Sequence, residues 1–269
     1  MRDSLPGAEF SAMLRPHTGE VSEVQRTERG FSSDLTALVV AEAGTFFVKA
    51  VRNRRGGRLD SLMRERLINP YVVPLSPPLV WTAEDLLWVA LGFEAVAGRH
   101  ADLMPESHDL FVVVGLVDRI GRLELPPVAE AWTESRWDRF ADDDASAALL
   151  AGDSLLHTDI NGSNFLLPGG NGWVVDWAWP TRGAGFIDPA CLVLQLIAAG
   201  HSAAQAERWA SSCTAWLDAD PKGLDAFASA NVRMFRHLTS RKPEAEWLGA
   251  MLRAAGAWAQ HRGVTVPSP

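Results

Sequence analysis

The chain has 269 residues, 47% of them hydrophobic, and 33 Asp and Glu outweigh 25 Lys and Arg to give a formal net charge of −8. That length and apolar content support a sizeable core in one large domain or two parts, and exclude a disordered chain, a collagen or a coiled coil. The acidic balance argues against a broad nucleic-acid footprint and favours neutral or cationic partners.

The N-terminal stretch runs through Arg2, Asp3, Pro6, Glu9 and Arg15 with no apolar leader core, so a cytoplasmic location is expected. From Val24 to Val51 the pattern is strands and turns. Leu35 to Ala41 is β-rich, Glu42-Ala43-Gly44-Thr45 is a turn, and Phe46 to Val51 is a second strand of a hairpin. The small-residue turn Arg29-Gly30-Phe31-Ser32-Ser33-Asp34 joins a preceding strand to Leu35, which makes a three-stranded meander. After Arg54-Arg55-Gly56-Gly57-Arg58, the apolar residues Leu59, Leu62, Met63, Leu67 and Ile68 have helical spacing, and Asn69-Pro70 is read as the helix end. Tyr71 to Glu94, with the runs Leu86 to Val89 and Val89 to Phe93, reads as two further strands.

Beyond Gly98 long helical patterns take over, at Asp109 to Leu123, Pro127 to Phe140 and Ala145 to Leu150. After a break at Asp153 they resume at Ala190 to Ala199, Ala203 to Leu217, Leu224 to Leu238 and Glu244 to His261. The longest nearly apolar stretch, Pro189 to Ala199, contains Gln195 and falls short of the roughly 18 to 20 residues that span a bilayer, so no membrane partner is expected. Cys191 and Cys213 lack disulfide density and C-x-x-C spacing and read as reduced packing residues. The expected organisation is a small β-rich part at 1–94 and a helical part at 95–269.

Chemistry concentrates between Leu155 and Asp176. Two short apolar strands, Phe165 to Leu167 and Trp173 to Val175, flank a glycine-rich turn centred on Gly170, and pairing about that centre puts Asn164 opposite Asp176. An amide oxygen and a carboxylate at one end of a hairpin suit a hard cation such as Mg²⁺, which takes oxygen ligands and keeps waters and phosphates. Asp159, five residues upstream of Asn164, sits beside such a site without ligating. The competing reading makes His157, Asp159 and Asn164 turn residues that cap the hairpin. Asp176 lies in the apolar setting Trp173-Val174-Val175-Asp176-Trp177, where an unpaired charge is costly, so it requires a partner.

Only three of the 25 basic residues are lysines, Lys49, Lys222 and Lys242. Strand alternation puts Lys49 on the face of Phe47 and Val51, either snorkelling to the surface or held in a cleft with Glu65 of the next helix as its pair.

A strand lysine, a helix glutamate and a downstream Asp/Asn/Asp set together resemble the aminoglycoside phosphotransferase and choline-kinase-like branch of the protein-kinase-like fold. The similarity covers nearly the whole chain. The family's His-Gly-Asp-x-x-x-x-Asn loop stands here as His157-Thr158-Asp159-Ile160-Asn161-Gly162-Ser163-Asn164, and its metal aspartate as Val175-Asp176-Trp177. Gly185-Phe186-Ile187-Asp188-Pro189-Ala190 is similar to a segment whose aspartate supports that loop, while an N-cap for the following helix is the other reading of Asp188. The only glycine in the strand-joining turn is Gly30, and neither G-x-G-x-x-G nor a Walker motif occurs.

The resemblance implies an α+β, bilobal protein-kinase-like fold with a small antiparallel β-rich N-lobe that binds nucleotide and a larger helical C-lobe for catalysis and substrate. It implies transfer of the γ-phosphoryl group of ATP to a hydroxyl of a small molecule, an aminoglycoside-like or other antibiotic among the candidates, with GTP the alternative nucleotide and Mg²⁺ the metal. Asp159 would orient the acceptor hydroxyl and receive its proton, with His157 bracing the loop. Asn164 and Asp176 would hold Mg²⁺, Lys49 would meet the α- and β-phosphates and Glu65 would orient it. Gly30, Ser32 and Ser33 would cover the phosphates, and the backbone of Phe93, Glu94 and Val96 would meet adenine. Thr158 departs from the family's glycine and bears on the acceptor site. The acidic run Asp138, Asp142, Asp143 and Asp144 either attracts a cationic acceptor or is a solvated face, and Trp132, Trp137 and Trp179 are either acceptor walls or, the reading favoured for each, core packing. A kinase for peptide Ser/Thr and a nucleotide-binding pseudokinase module remain alternatives, and oligomeric state is not legible.

Overall fold

A computed structural model of the chain describes residues 4–27, 33–73, 75–169 and 172–266. The chain divides into two compact units, residues 1–98 with 174–179, and 99–173 with 180–269.

The first unit opens on helix α1 (Ala8–Thr18), in which Phe10, Leu14 and Thr18 recur at four-residue spacing and are buried. The sequence reading assigned no helix here. Strands β1 (Val21–Arg26), β2 (Leu35–Ala41) and β3 (Gly44–Arg52) follow as the expected meander, and only Glu42 and Ala43 separate β2 from β3. Helix α2 (Gly57–Val72) runs through Pro70 instead of ending at Asn69. Pro70 lies in the last turn, so its ring and missing N–H disturb only the end of the ladder. Asn69 closes the exit by donating to Pro77 O (2.9 Å) and accepting from Leu79 N (2.7 Å).

Strands β4 (Leu79–Glu84) and β5 (Trp88–Glu94) complete the sheet. They are the two further strands expected within Tyr71 to Glu94, but the run Leu86 to Val89 supplies a turn and the start of β5, because Asp85 Oδ1 accepts from the amides of Leu87 and Trp88 and pins the turn after β4. The sheet order is β1-β2-β3-β5-β4, with every neighbouring pair antiparallel.

Alternation along β3 divides this sheet into two packed faces. Phe46, Val48 and Ala50 join Leu35, Ala37 and Val39 of β2, Ala90 of β5 and Phe10 and Leu14 of α1 in one core. Val51 joins Val89, Leu91 and Phe93 of β5 and Leu62 of α2, with Phe47 packed against them, in the other. Lys49 has the parity of Phe47 and Val51 and therefore lies on the α2 face.

The second unit begins with β6 (Arg99–His100) and helix α3 (Asp109–Ile120). No long helix occupies 127–140. That stretch holds two short 3-10 turns, Pro127–Ala129 and Asp138–Phe140. The amide of Glu134 donates to Arg182 O (2.8 Å) and that of Arg182 to Trp132 O (2.7 Å), so the segment is drawn out beside a strand. Helix α4 (Asp144–Ala148) and strands β7 (Ser154–Leu156), β8 (Phe165–Leu167) and β10 (Thr181–Gly183) follow, and β9 (Trp173–Val174) stands at the boundary where the chain passes to residues 174–179 of the first unit. β7 pairs with β10, and β6, β8 and β9 form a three-stranded sheet. The expected turn centre at Gly170 lies outside the described residues.

Helices α5 (Ile187–Ala198), α6 (Ala203–Ala210), α7 (Thr214–Leu217), α8 (Pro221–Arg241) and α9 (Glu246–His261) complete the unit. The single helix expected from Ala203 to Leu217 is two, broken at 211–213. Buried Phe227 of α8 and Trp258 of α9 pack ring to ring with centroids 6.3 Å apart. Among the described residues no helix is long and apolar enough to cross a membrane. A five-stranded antiparallel sheet followed by a helical part gives the α+β class expected from the sequence.

Candidate functional site

In the first unit, β3 delivers Lys49 and α2 delivers Glu65 to one buried cluster. Lys49 Nζ donates to Glu65 Oε1 (2.7 Å) and Oε2 (2.9 Å) and to Asp176 Oδ1 (2.7 Å). The side chains of Lys49 and Glu65 are 8% and 7% exposed, whereas that of Asp176 is 35% exposed. Burial pulls the Lys49 ammonium down, but the carboxylates of Glu65 and Asp176 more than offset it and hold the group above the ordinary lysine value. Lys49 is thus a buried cation paired with two carboxylates, not a snorkelling surface lysine.

Asp176 follows β9 with φ +64°, a conformation that a non-glycine residue rarely adopts. Its neighbours hold it there: Val174 N donates to Leu75 O (2.8 Å), and the buried Trp177 indole donates to Val174 O (3.3 Å). Of the loop between β1 and β2, Gly30 and Ser32 lie outside the described residues, and Ser33 is partly buried beside Asp34. Phe93 is buried at the end of β5, and the Glu94 amide donates to Pro78 O (2.9 Å). Val96 lies in the segment without regular structure between β5 and β6.

In the second unit, β7 leads directly into the 157–164 loop. Asp188 stands within the first turn of α5 and does not cap it; Phe186 holds the cap position. Its carboxylate accepts from the amides of His157 (2.8 Å) and Thr158 (2.8 Å). Burial pushes the Asp188 carboxyl up, against the neighbouring His157 ring and the two amides, which pull it down. His157 is buried, and its Nδ1 accepts from the Asp159 amide (3.3 Å).

Asn164 Nδ2 donates to Asp159 O (2.8 Å) and Oδ2 (2.9 Å), while Asn161 Nδ2 donates to Asp159 Oδ1 (2.9 Å). Two acceptors at Nδ2 fix the orientation of the Asn164 amide and leave Oδ1 for another partner. The exposed Asp159 carboxylate is therefore oriented by two amides with part of its accepting capacity directed to solvent.

Support for this loop comes also from residues that the sequence reading did not single out. Arg136 Nη2 donates to Thr158 Oγ1 (3.0 Å), and Glu134 accepts from Arg136 N (2.7 Å) and from Thr181 Oγ1 (2.8 Å). No motif marks them, because the pairing of 132–134 with β10 brings them to the loop. The acidic run is largely committed to local structure: Asp142 pairs with Arg233, and Asp143 caps α4 by accepting from Ser146 N (2.7 Å). Trp137 is buried and donates to Asn231 (3.2 Å), which makes it core, while Trp132 is partly buried. Trp179, in the first unit, is exposed, with the Arg64 guanidinium 5.3 Å from its ring. Cys191 and Cys213 are free thiols, and burial pushes Cys213 up to about 12. Among the described residues no group of three or more His, Cys, Asp or Glu is placed to hold a metal.

No protein-family model and no characterised protein sequence matches the chain. Solved structures do. A thermostable mutant of aminoglycoside phosphotransferase APH(4)-Ia superposes with a TM-score of 0.63 at 14% identity, over 95% of this chain and all of the other. Choline kinase LicA from Streptococcus pneumoniae gives 0.63 at 14% identity over 93% and 97%. Amicoumacin kinase hAmiN, in complex with AMP-PNP, Ca²⁺ and Ami, gives 0.53 at 14% identity over 88% of each chain. The chain has the protein-kinase-like fold of these proteins.

Proposed function

We propose that the protein is a Mg²⁺-dependent kinase that transfers the γ-phosphoryl group of ATP, with GTP the alternative donor, to a hydroxyl of a small molecule. The observation that carries this reading is the buried Lys49 ammonium bonded to Glu65 and Asp176. A cation held at such a cluster suits a polyphosphate on a chain whose net charge is −8. The first unit is read as the nucleotide-binding part and the second as the catalytic and substrate part.

The residues fit the metal. Asn164 offers an amide oxygen that no hydrogen bond among the described residues occupies, and Asp176 offers a carboxylate that is one-third exposed. Each is the kind of oxygen donor that suits Mg²⁺, which keeps several waters and binds through one or two protein groups plus phosphates. When bound, it neutralises charge on the phosphates.

In this reading Lys49, oriented by Glu65, binds the α- and β-phosphates, and the loop of Gly30, Ser32 and Ser33 is assigned to the same phosphates. The backbone of Phe93, Glu94 and Val96 meets the base. Asp159 aligns the acceptor hydroxyl and accepts its proton, while His157 and Asp188 brace the loop. A hydroxyl is far less acidic than a carboxyl, so proton transfer is late and alignment is the larger contribution. An antibiotic, aminoglycoside-like or other, is the proposed acceptor and the cytoplasm the proposed compartment, where free Cys191 and Cys213 fit.

The test is the thermal unfolding midpoint with ATP, with Mg²⁺ and with both, for the wild type and Asp176→Asn. Nucleotide at about 100 times its Kd adds roughly 2.7 kcal/mol. A Mg²⁺-dependent ATP shift that weakens in Asp176→Asn supports the reading, and no shift at saturating nucleotide sinks it. Phosphate incorporation into amino sugars, macrolides, amino alcohols and peptides then identifies the acceptor.

A further inference from the structure

We propose that Arg136 is a positioning residue for Asp159, acting by clamping Thr158 in a left-handed backbone conformation. This rests on the reading of the site as a phosphotransferase centre and adds a residue to it. Thr158 has φ +64°. A β-branched residue is strained there, because its side chain crowds the backbone, and it stays only where the surroundings over-determine it.

Two groups from different elements do so. Asp188 takes the amides of His157 and Thr158. Arg136 holds the other side of Thr158: Nη2 donates to Oγ1 (3.0 Å) and Nη1 to the carbonyl oxygen (3.4 Å). That carbonyl belongs to the peptide unit that carries the Asp159 amide, so Arg136 holds the peptide plane that leads directly into the Asp159 Cα.

The clamp is itself anchored. Arg136 N donates to Glu134 Oε1 (2.7 Å), Nη2 lies 3.9 Å from Glu134 Oε2, and buried Glu134 also accepts from Thr181. The guanidinium lies 5.0 Å from the ring of Trp137, which is buried and bonded to Asn231. A planar fork with several donors reaches a hydroxyl and a carbonyl at once, which neither lysine nor glutamine reproduces in the same geometry. Glycine at 158 would adopt the same backbone without strain but would give Arg136 no hydroxyl. Threonine and Arg136 therefore work as a pair.

The experiment compares wild type, Arg136→Gln, Thr158→Gly, Thr158→Ser and the double variant Arg136→Gln/Thr158→Gly. Amide hydrogen exchange over 157–161 reads the clamp directly, with α8 as the internal reference for global stability. The second readout is kcat and KM for ATP in transfer to the acceptor that the incorporation panel identifies.

In Arg136→Gln, exchange over 157–161 accelerates about tenfold while α8 is unchanged, and kcat falls about tenfold with KM for ATP within about twofold, as expected when a reacting group is misplaced. Thr158→Ser keeps wild-type behaviour. The double variant is no worse than the more affected single variant, because both remove one interaction. Unchanged exchange over 157–161 in Arg136→Gln overturns the clamp, as does full additivity of the two substitutions. A wild type whose unfolding midpoint ignores MgATP instead sinks the kinase reading, and the exchange result then decides the clamp alone.

Discussion

Lys49 and Asp176 stand 127 positions apart in the chain and meet at 2.7 Å, with the same ammonium bonded to both oxygens of Glu65. Three carboxylate oxygens around one buried cation make the cluster unforgiving of removal. Lys49→Met leaves the Glu65 carboxylate buried without its cation, so a loss of about 3–5 kcal/mol is expected in urea unfolding. The double variant Lys49→Met/Glu65→Leu removes the stranded charge as well and recovers most of that loss. On the proposed function the MgATP-induced shift in unfolding midpoint disappears in both, which separates the stability of the cluster from its use.

Asp159 carries the opposite expectation. It is exposed, and buried Asn164, which donates to its carboxylate, donates also to its backbone oxygen, so Asp159→Ala leaves Asn164 with an acceptor. Asp159→Ala should leave the MgATP-induced shift in unfolding midpoint in place while phosphate transfer falls by roughly 10² to 10⁴, the range for a general base. Full turnover in this variant removes Asp159 from the role.

The sequence showed those parts of the molecule whose signal is local. Alternation in 35–51 placed the β2–β3 hairpin and the face of Lys49, and helical spacing placed Leu62 and Glu65 on α2. Elements set by tertiary partners were hidden. Helix α1 exists because Phe10 and Leu14 fill a core shared with Trp88, and no motif announces it. The 127–140 segment has helical periodicity yet is pulled extended by its bonds to Arg182. Asp188 looked equally like a cap and a loop support until its two amide donors were seen. Arg136 had no signature at all, because the residue that reveals it, Thr158, is marked by its backbone angle and not by its type.

Gly92 tests the packing of the first unit. It lies on β5 opposite Trp81 of β4, and a Cβ added there would come within 2.0 Å of the indole ring. That ring cannot simply withdraw, since it is buried, stacked on His17 (5.5 Å) and met edge-on by Phe46 (5.6 Å). Gly92→Ala should cost about 3 kcal/mol, the upper part of the range for overpacking a core. In a Trp81→Leu background the same substitution should cost less than about 1 kcal/mol. Equal costs in the two backgrounds would place the strain elsewhere.

Acid stability should depend on Asp109. This carboxylate, buried in the first turn of α3, accepts from Arg99 Nη1 (2.5 Å) and Nη2 (2.7 Å) and from Asp102 N (2.8 Å). The Arg99 hydrogen bonds, with the Asp102 amide, outweigh burial and hold its pKa below the ordinary aspartate value of 3.8. A group whose folded pKa is depressed contributes stability that is present above the unfolded value and is lost as pH falls through the folded one. Wild type should therefore lose part of its margin over Asp109→Asn as pH drops below 3.8, while the two differ by a constant amount above about pH 5. The measurement is the unfolding midpoint of both proteins from about pH 2 to 6. Arg99 is largely exposed, so added salt should shrink the difference by screening its charge. Parallel curves throughout would mean that the Arg99–Asp109 pair adds nothing to the acid limb.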